Sequence, residues 1–558
     1  MLLGVDVGGT HTDAVVIGDG GVLAYSKVVT RHDHLLSSVH EAIEKVIENV
    51  DPSKIDRVNL STTLTTNAII ENKTEEVGVI VSAGPGIDPG YFSIGKHYFN
   101  IDGEIDHRGT EIVLLDIKEV EKIIKKSQKD GIRVFAAVTK FCTRNPLHEN
   151  IIRDRIGDQA DFVTMGHLMS GQLNFPRRIA TAYYNSAVWR LYNDFADAIQ
   201  SSIQSHGITG HIHVLKADGG TIPMEYSRNI PVESILSGPA ASVMGIVGLC
   251  NIADDSIILD IGGTSTDIAV FADGAPLVER EGIELNASPT LVHALKTSSI
   301  GIGGDSAIHV HEGKITVGPS RLGPAMAEGG SVPTLIDALN FTSDSSYGDV
   351  EKSREGIESL RDKAGMDPAS VADAVVEYAV TMIYNEVQRV VESINQRPVY
   401  TIHELLSGKK VEPVHLYIMG GPAESMRSLL SEKFAMPADV PEHSRVANAI
   451  GAALARTTVE IELFADTEHC KLVIPNINVM KKISIDYTLE RAQDEAVEML
   501  REHLHSIGIT DNDDEIEILD SSSFNMVRGF ETTGQNIRVR CQVKPGVIHR
   551  YRDLLKQC

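Results

Sequence analysis

The stretch Asp260–Asp267 reads D-I-G-G-T-S-T-D, and it nearly repeats Asp6–Asp13, which reads D-V-G-G-T-H-T-D. The two copies differ at only two of their eight positions. Each copy stands between two short apolar runs, so the pattern predicts a strand, a tight glycine turn and a second strand. Because repeats usually report repeated architecture, the pair predicts two related halves.

The residue types of this motif suit a phosphate chain and its metal ion. Adjacent glycines let the backbone turn sharply and present bare N–H groups to an anion, and threonine hydroxyls add donors. The predicted phosphate-binding residues are Gly8, Gly9, Thr10, Thr12, Gly262, Gly263, Thr264 and Thr266. Asp6 and Asp260 stand at strand ends, where carboxylates can hold a hydrated Mg²⁺. We therefore predict two facing hairpins that clamp a triphosphate and Mg²⁺.

Length, charge and cysteine content exclude several classes of protein. A chain of 558 residues is longer than one hydrophobic core usually serves, so we expect several domains. The net charge of −26 argues against general binding to nucleic acid or anionic membranes. The five cysteines include no C-x-x-C pair, which argues against a zinc site or a disulfide framework and fits a reducing compartment. With no leader and no membrane-spanning apolar run expected, we predict a cytoplasmic enzyme.

Three later segments are predicted to line the same site. Residues 58–68 form a strand that ends in a hydroxyl-rich helix entry, which suits an active-site floor or, alternatively, a simple helix cap. Residues 300–330 are rich in glycine and favour loops along a cleft, with flexible surface loops as the alternative. The strand at 414–419 runs into Gly420 and Gly421, a pattern that lets a flat adenine ring lie against the backbone.

Helical periodicity predicts long helices at about 179–204 and 371–395, and a helix of small residues within 231–249. From about 465 the pattern changes to a small α/β unit that contains the acidic run Asp511–Glu515, interpreted as a solvated turn. His11 is a plausible site residue. The histidine pairs at 32/34, 211/213 and 309/311 have no carboxylate or cysteine cluster beside them, which argues against a metal site there.

These motifs together resemble the nucleotide-binding superfamily that includes actin, heat-shock chaperones and sugar kinases. Within it, the chain resembles the hydantoinase/oxoprolinase A-subunit family over roughly residues 1–455. The motifs that carry this resemblance are G-V-D-V-G-G-T-H-T-D at 4–13, S-T-T-L-T-T-N-A-I-I-E at 61–71, L-S-G-P-A-A-S-V at 236–243, D-I-G-G-T-S-T-D at 260–267 and I-G-I-G-G-D-S at 300–306.

The resemblance implies an α/β chain with a duplicated actin-like, ribonuclease H-like ATPase fold. Its two lobes would span residues 1–178 and 179–463 around a nucleotide cleft, and a small α/β domain would span 464–558. The implied partners are a small-molecule substrate and a separate B-type subunit, with a homo-oligomer left open.

The implied activity is ATP- and Mg²⁺-dependent opening of a cyclic amide such as a hydantoin, oxoproline or a lactam, or ATP-dependent carboxylation of a ketone. ATP would phosphorylate the amide or enol oxygen. By motif, Asp6 and Asp260 would organise the metal, and Gly420 and Gly421 would lie under adenine. Asp13 and Asp267 would orient the loops or position the reacting group.

One departure from the family pattern points to a divergent branch. The family commonly places D-x-H-T just before the I-G-x-G-G motif, whereas this chain has K-T-S-S at residues 296–299. Two other functions remain open from the sequence: a small-molecule kinase with a stable phosphorylated product, and an ATP-driven switch that remodels another protein.

Overall fold

Two sheets with the same strand order organise the structure, a computed structural model that describes residues 1–31, 35–342, 346–396, 410–509, 515–552 and 554–556. In order, the first sheet consists of Gly21–Val29, His11–Gly18, Leu2–Val7, Arg57–Thr62, His211–Leu215 and Thr221–Pro223. In order, the second sheet consists of Ala275–Pro276, Thr266–Ala272, Ser256–Ile261, His415–Gly420 and Ala438–Asp439, with Thr297–Ile300 paired to Thr266–Ala272.

The strand directions repeat as well as the order. In each sheet three antiparallel strands are followed by two that run parallel to the first motif strand. The central strands Leu2–Val7 and Ser256–Ile261 are buried along their whole length, as expected for strands covered on both faces. The predicted duplicated α/β fold is therefore confirmed. The division at residues 178 and 463 stays a prediction; the strands at 211–223 extend the first sheet.

The remaining strands form smaller sheets. A four-stranded sheet consists of Phe162–Met165, Val134–Thr139, Val77–Ser82 and His97–Asn100. A C-terminal sheet consists of Val479–Lys482, Lys471–Ile474, Glu460–Asp466, Glu531–Val543 and Ile516–Arg528. Two-stranded pairs are Glu104–Ile105 with Glu111–Val113, Val278–Glu279 with Ala294–Leu295, Glu284–Leu285 with Ser288–Pro289, and Ile308–His311 with Lys314–Val317.

Helices cover the faces of these sheets. They are Leu35–Ile47, Leu64–Ile70, Ile117–Lys129, Leu147–Ile156, Gly166–Met169, Phe175–Ser205, Met224–Ser227, Ser237–Leu249, Leu335–Thr342, Val350–Glu358, Arg361–Ala364, Pro368–Asn395, Ala423–Phe434, Ala447–Leu454, Leu489–Ser506 and His549–Arg552. None of the helices in the described ranges is long and apolar enough to cross a bilayer. The acidic run at 511–514 and the pair His32 and His34 lie outside the described residues.

Two helices of small residues hold the halves together. A Cβ atom at Gly451, in the helix Ala447–Leu454, would lie 2.1 Å from the Ala241 carbonyl oxygen in the helix Ser237–Leu249, and one at Gly245 would lie 2.3 Å from the Ala447 carbonyl oxygen. The first sheet approaches as closely, since a Cβ atom at Gly4 would lie 2.1 Å from the Ala449 carbonyl oxygen. Only glycine permits these backbone contacts.

Cysteine chemistry differs in part from the expectation. The sequence argued against a disulfide framework, but Cys250 is disulfide-bonded. Cys142, Cys470 and Cys541 are free thiols. A single disulfide is no framework, and the reducing compartment stays a prediction.

The helix contact gives a stability prediction. Gly451→Ala places a methyl group against backbone that cannot rotate away, so we expect it to lower the free energy of unfolding by about 2 kcal/mol or more. Gly238→Ala in the facing helix is the control, because its nearest neighbour, a Thr63 methyl carbon, would lie 3.4 Å away, an ordinary contact. Thermal melts of both variants test this; equal melting temperatures would show that the close helix contact is not needed.

Candidate functional site

The two predicted turns meet tip to tip. Each is closed by the same hydrogen bond, from the Gly8 N–H to the His11 carbonyl (3.0 Å) in one and from the Gly262 N–H to the Ser265 carbonyl (2.9 Å) in the other. The hydroxyl oxygens of Thr10 and Thr264 lie 3.2 Å apart. The structure thus brings the tips of two motifs that are about 250 residues apart in the chain into direct contact, and we call the space around these tips the crevice.

The other two motif threonines have a different environment from the predicted one. The Thr12 hydroxyl is buried and lies 3.0 Å from the Thr30 hydroxyl. The Thr266 hydroxyl is also buried and donates to the Ile302 carbonyl at 2.6 Å. Both hydroxyls stabilise their own lobe, which corrects the expectation that all four are free donors. Thr10 and Thr264 remain as the hydroxyls next to the crevice.

Four motif carboxylates lie directly behind the turns as two cross-strand pairs, Asp6 with Asp13 and Asp260 with Asp267. Asp13 forms an ion pair with Lys27 at 2.7 Å. Asp260 accepts hydrogen bonds from the Ser242 hydroxyl at 2.6 Å and the Asn448 amide at 3.2 Å. Each pair therefore contains one carboxylate that a neighbouring side chain orients.

Burial favours the neutral form of the other two carboxylates, Asp6 and Asp267. It raises the pKa of Asp6 to about 7, with the charges of Asp13 and Asp260 acting in the same direction. Burial and the charge of Asp260 also raise the pKa of Asp267 to about 7, although the Ser299 hydroxyl opposes this. Burial raises the pKa of Asp13 as well, against the effect of Lys27. Such values near neutrality suit groups that accept or hold a proton.

The glycine-rich segment continues the second turn. The N–H groups of Gly304 and Asp305 donate to the carbonyls of Gly262 and Gly263, at 2.9 and 2.7 Å. The Asp305 carboxylate in turn forms an ion pair with Arg321 at 3.0 Å. The predicted loop thus lies beside the second turn at residues 300–306, whereas residues 308–317, also predicted as loop, form a hairpin.

The glycine pair at the end of its strand lies beside the second turn. Gly420 pairs with Ile261 in the sheet, and a Cβ atom on it would lie 2.2 Å from the Ile261 carbonyl oxygen and 3.0 Å from Asp260 Oδ1. A Cβ atom on Gly421 would have no neighbour within 4 Å. The backbone is therefore open where the sequence predicts the adenine ring.

The hydroxyl-rich entry at residues 61–68 contacts the first motif strand and the helix Ser237–Leu249. Thr62 and Ser237 exchange two hydrogen bonds, from the Thr62 N–H to Ser237 Oγ at 3.1 Å and from that hydroxyl to the Thr62 carbonyl at 2.9 Å. The Thr63 N–H donates to the Val7 carbonyl at 3.3 Å. These contacts hold the segment beside the first turn, and its role as an active-site floor stays a prediction.

Histidines contribute little charge here. Burial, together with the charges of Lys27 and Arg321, lowers the pKa of His11 to about 4, so this ring is neutral at pH 7. His309 Nε2 lies 2.8 Å from the Ser320 hydroxyl. In the part of the chain that the structure describes, no three His, Cys, Asp or Glu side chains form a ready metal cluster.

Four side chains near the two turns were not predicted from the sequence: Lys27, Arg321, Ser242 and Asn448. Lys27 could have been found from hairpin register, because it pairs across strands with Asp13. Arg321 has no comparable signal, since it reaches the crevice only through its ion pair with Asp305. Together Lys27 and Arg321 add positive charge around His11, where an anionic ligand would lie.

Comparison with known proteins agrees with this geometry. Residues 2–159 match the family pattern described as Hydantoinase/oxoprolinase N-terminal region, and residues 178–461 match that described as Hydantoinase/oxoprolinase. The chain is 23% identical to the acetophenone carboxylase gamma subunit of Aromatoleum aromaticum over 60% of its own length, and it covers 52% of that subunit. It is 27% identical to a Saccharomyces cerevisiae 5-oxoprolinase over 40% of its length, and it covers only 18% of that protein.

Two solved structures share the fold. A nucleotide-free acetone carboxylase matches with a TM-score of 0.73 at 15% identity, covering 99% of this chain and 88% of the other. An ATP-dependent caprolactamase from Pseudomonas jessenii matches with a TM-score of 0.68 at 19% identity, covering 98% and 87%. At such identities these likenesses establish the architecture and no more.

The raised carboxylate pKa values predict a pH dependence of stability. Folded Asp267 keeps its proton up to about pH 7, whereas the unfolded side chain releases it near its ordinary value of 3.8. The folded state then binds more protons than the unfolded state between these values, so stability falls as pH rises from about 4 to 7 and stays reduced above.

Asp267→Asn has no proton to lose, so it should be more stable than the wild type at pH 8 by on the order of 1–3 kcal/mol and show a flatter profile. Thermal melts of the nucleotide-free protein from pH 5 to 8 measure this. Asp154→Asn, at a carboxylate whose side chain is 66% exposed, is the control and should follow the wild-type profile. A wild-type profile in Asp267→Asn would contradict the burial argument.

Proposed function

Because the chain belongs to the hydantoinase/oxoprolinase family, we propose that it is an ATP-dependent enzyme that opens a cyclic amide, or the ATPase subunit of such an enzyme. The observation that carries this proposal is the meeting of the two glycine turns, with Thr10 and Thr264 in contact and two aspartate pairs behind them. That arrangement can grip a polyphosphate from both sides.

The carboxylates also fit a bound Mg²⁺. Asp6 Oδ1 is buried and, among the described residues, accepts no hydrogen bond. The proximity of Asp13 and Asp260 adds to the rise in the pKa of Asp6, an effect that a cation would reverse. Mg²⁺ usually takes one or two protein carboxylates and completes its shell with waters and phosphate oxygens, so no larger cluster is required. When bound, it would neutralise phosphate charge and polarise the transferred group.

In the proposed reaction the amide oxygen of the substrate attacks the γ-phosphorus of ATP. The new O–P bond replaces the bond to the β–γ bridging oxygen, and ADP leaves with that electron pair. Water then adds to the amide carbon, and the C–N bond breaks as the nitrogen takes up a proton, which leaves an acyl phosphate. A second water hydrolyses this acyl phosphate to the carboxylate and inorganic phosphate. One ATP and two waters are consumed for each ring opened, and the products are an amino carboxylate, ADP and phosphate.

The residues of the crevice have separate tasks in this reaction. The amides of the two turns and the hydroxyls of Thr10 and Thr264 bind the phosphate oxygens. Lys27 and Arg321 supply positive charge where negative charge develops, which is the arrangement that favours phosphoryl transfer. Asp267, with a pKa of about 7, can hold or accept the proton that moves during water addition. The open backbone at Gly421 receives the base.

A partner subunit is part of the proposal. One relative is itself a carboxylase subunit, and the chain spans about half of its length. We propose that a B-type subunit works with this chain, and that the amide activation step takes place here.

The first test replaces the two aspartates that are proposed to face the metal. Asp6→Asn and Asp260→Asn should each lower ADP release in the presence of a cyclic amide by about 100-fold or more, because Mg²⁺ loses a ligand of full charge. A panel of 5-oxoproline, hydantoin and ε-caprolactam, with and without a B-type subunit, provides the substrate. Asp154→Asn should leave turnover unchanged. Wild-type rates in both crevice variants would end the proposal.

The products of the same assay separate the competing functions. Mass spectrometry should find the ring-opened amino carboxylate together with inorganic phosphate. A stable phosphorylated small molecule would identify a kinase instead. ADP release that only a protein stimulates would identify a remodelling switch.

Arg321 gives a second test of the phosphoryl-transfer geometry. Arg321→Gln removes the positive charge but keeps much of the side-chain volume, so we expect kcat to fall about 10- to 100-fold with a smaller change in the KM for ATP. Arg361→Gln, in the short helix Arg361–Ala364, is the matched control and should show wild-type kinetics. An unchanged kcat in Arg321→Gln would remove this residue from the proposed mechanism.

A further inference from the structure

A second cavity lies away from the twin turns. It has a volume of about 570 Å³ and is bordered by the helix Ser237–Leu249 and by the C-terminal sheet. Met244 and Val247 form part of its apolar wall. Cavities of this size commonly hold small organic ligands. The same helix carries Ser242, which donates to Asp260, so one helix borders both sites.

The inner wall of this cavity carries an unusual group of charges: Lys216, Asp218, Glu233, His293, Glu460 and Arg540. Lys216 forms an ion pair with Asp218 at 2.6 Å. Glu460 lies 3.9 Å from Arg540 and 3.7 Å from His293. Burial lowers the pKa of His293, so its ring adds no charge at pH 7. Among these six residues there are three carboxylates and two cations, and Arg456, which is also buried, lines the cavity as well.

Glu233 is the carboxylate without a direct partner. Within the described ranges, its side chain forms no hydrogen bond or ion pair. Burial raises its pKa, with Lys216 nearby acting in the opposite direction. Although burial alone would lower the pKa of Lys216, the charges of Asp218, Glu233 and Glu460 raise it, so the cavity carries a permanent cation beside an excess of acid.

Two further acids of the cavity wall are paired. Glu462 forms an ion pair with Arg538 at 2.5 Å, and Glu515 forms one with Lys544 at 3.6 Å. Arg280 lines the cavity, is exposed, and forms no ion pair to a described residue. The cavity thus contains one carboxylate, Glu233, and one exposed arginine, Arg280, that form no ion pair with a described residue.

We propose that this cavity binds a small zwitterion, an amino carboxylate whose ammonium group lies against Glu233 and whose carboxylate group is directed to Arg280. An ammonium group would satisfy the unpaired carboxylate with charge-assisted hydrogen bonds, and the apolar wall of Met244 and Val247 would pack against the carbon chain. The choice of ligand class rests on the proposed function, because opening a cyclic amide yields an amino carboxylate.

Isothermal titration calorimetry on the full chain without nucleotide tests this inference. The probes are 4-aminobutanoate, 5-aminopentanoate and 6-aminohexanoate, compared with hexanoate and hexylamine, which each lack one charge. We expect at least one amino carboxylate to bind at least about tenfold more tightly than either singly charged analogue. No binding of any amino carboxylate would overturn the inference.

Variants locate the site. Glu233→Gln keeps the side-chain shape but removes the charge, and Val247→Phe fills the cavity from the helix side. Each should weaken the amino carboxylate by about tenfold or more. Glu225→Gln, whose side chain is 70% exposed on the neighbouring short helix, is the control and should bind like the wild type. Wild-type affinity in both cavity variants would overturn the inference. If one variant proves unstable, wild-type affinity in the other variant alone would overturn it.

The result of these titrations can be distinguished from the result of the test of the proposed function. ADP release with cyclic amides reports on the crevice, whereas these titrations contain no ATP. Turnover without amino-carboxylate binding overturns the inference about the cavity alone. Binding without turnover supports the cavity and counts against the proposed reaction.

Discussion

The contact between Thr10 and Thr264 depends on how closely the two halves approach each other. Both turns are tips of hairpins whose first strands are buried in different sheets. Their tips can meet only if the helix Ala447–Leu454 fits between the first sheet and the helix Ser237–Leu249. Glycines at residues 4, 245 and 451 make that fit possible, because each lets backbone lie against backbone. The geometry of the crevice is thus set by residues in the core.

Electrostatics explains why this crevice favours a ligand. Four carboxylates lie behind the two turns, and burial raises the pKa of two of them, Asp6 and Asp267, to about 7. A cation would lower that cost, and polyphosphate would engage the amides in front of it. Under the proposed function, the arrangement costs stability when it is empty and would recover it on binding a metal–phosphate complex, which is common for sites that are organised before their ligand arrives.

Much of the fold could be predicted from the duplicated motif, because a strand, a glycine turn and a strand are encoded locally by apolar runs and two glycines. Gly420 could be placed for the same reason. The roles of Thr12 and Thr266 could not, since alternation along a strand decides which hydroxyls face the core, and the exact register was needed. Arg321 and Asn448 reach the crevice through tertiary contacts that no sequence pattern encodes, and the hairpin at 308–317 was hidden by its glycine-rich surroundings.

Residues 296–299, which depart from the family pattern, differ from it in their side chains but still belong to the second sheet or lie next to it. Residues 297–300 form a strand that pairs with the second hairpin, and Ser299 pairs with Asp267. Lys296 lies 3.4 Å from Glu279 instead of contacting the crevice. The altered residues thus replace an acid and a histidine by an ion-paired lysine and by hydroxyls, but the backbone still holds Asp267 behind the turn. Phosphate binding, as proposed, depends on the turn and should survive this change, whereas we expect a change of substrate to follow from the side chains that were replaced.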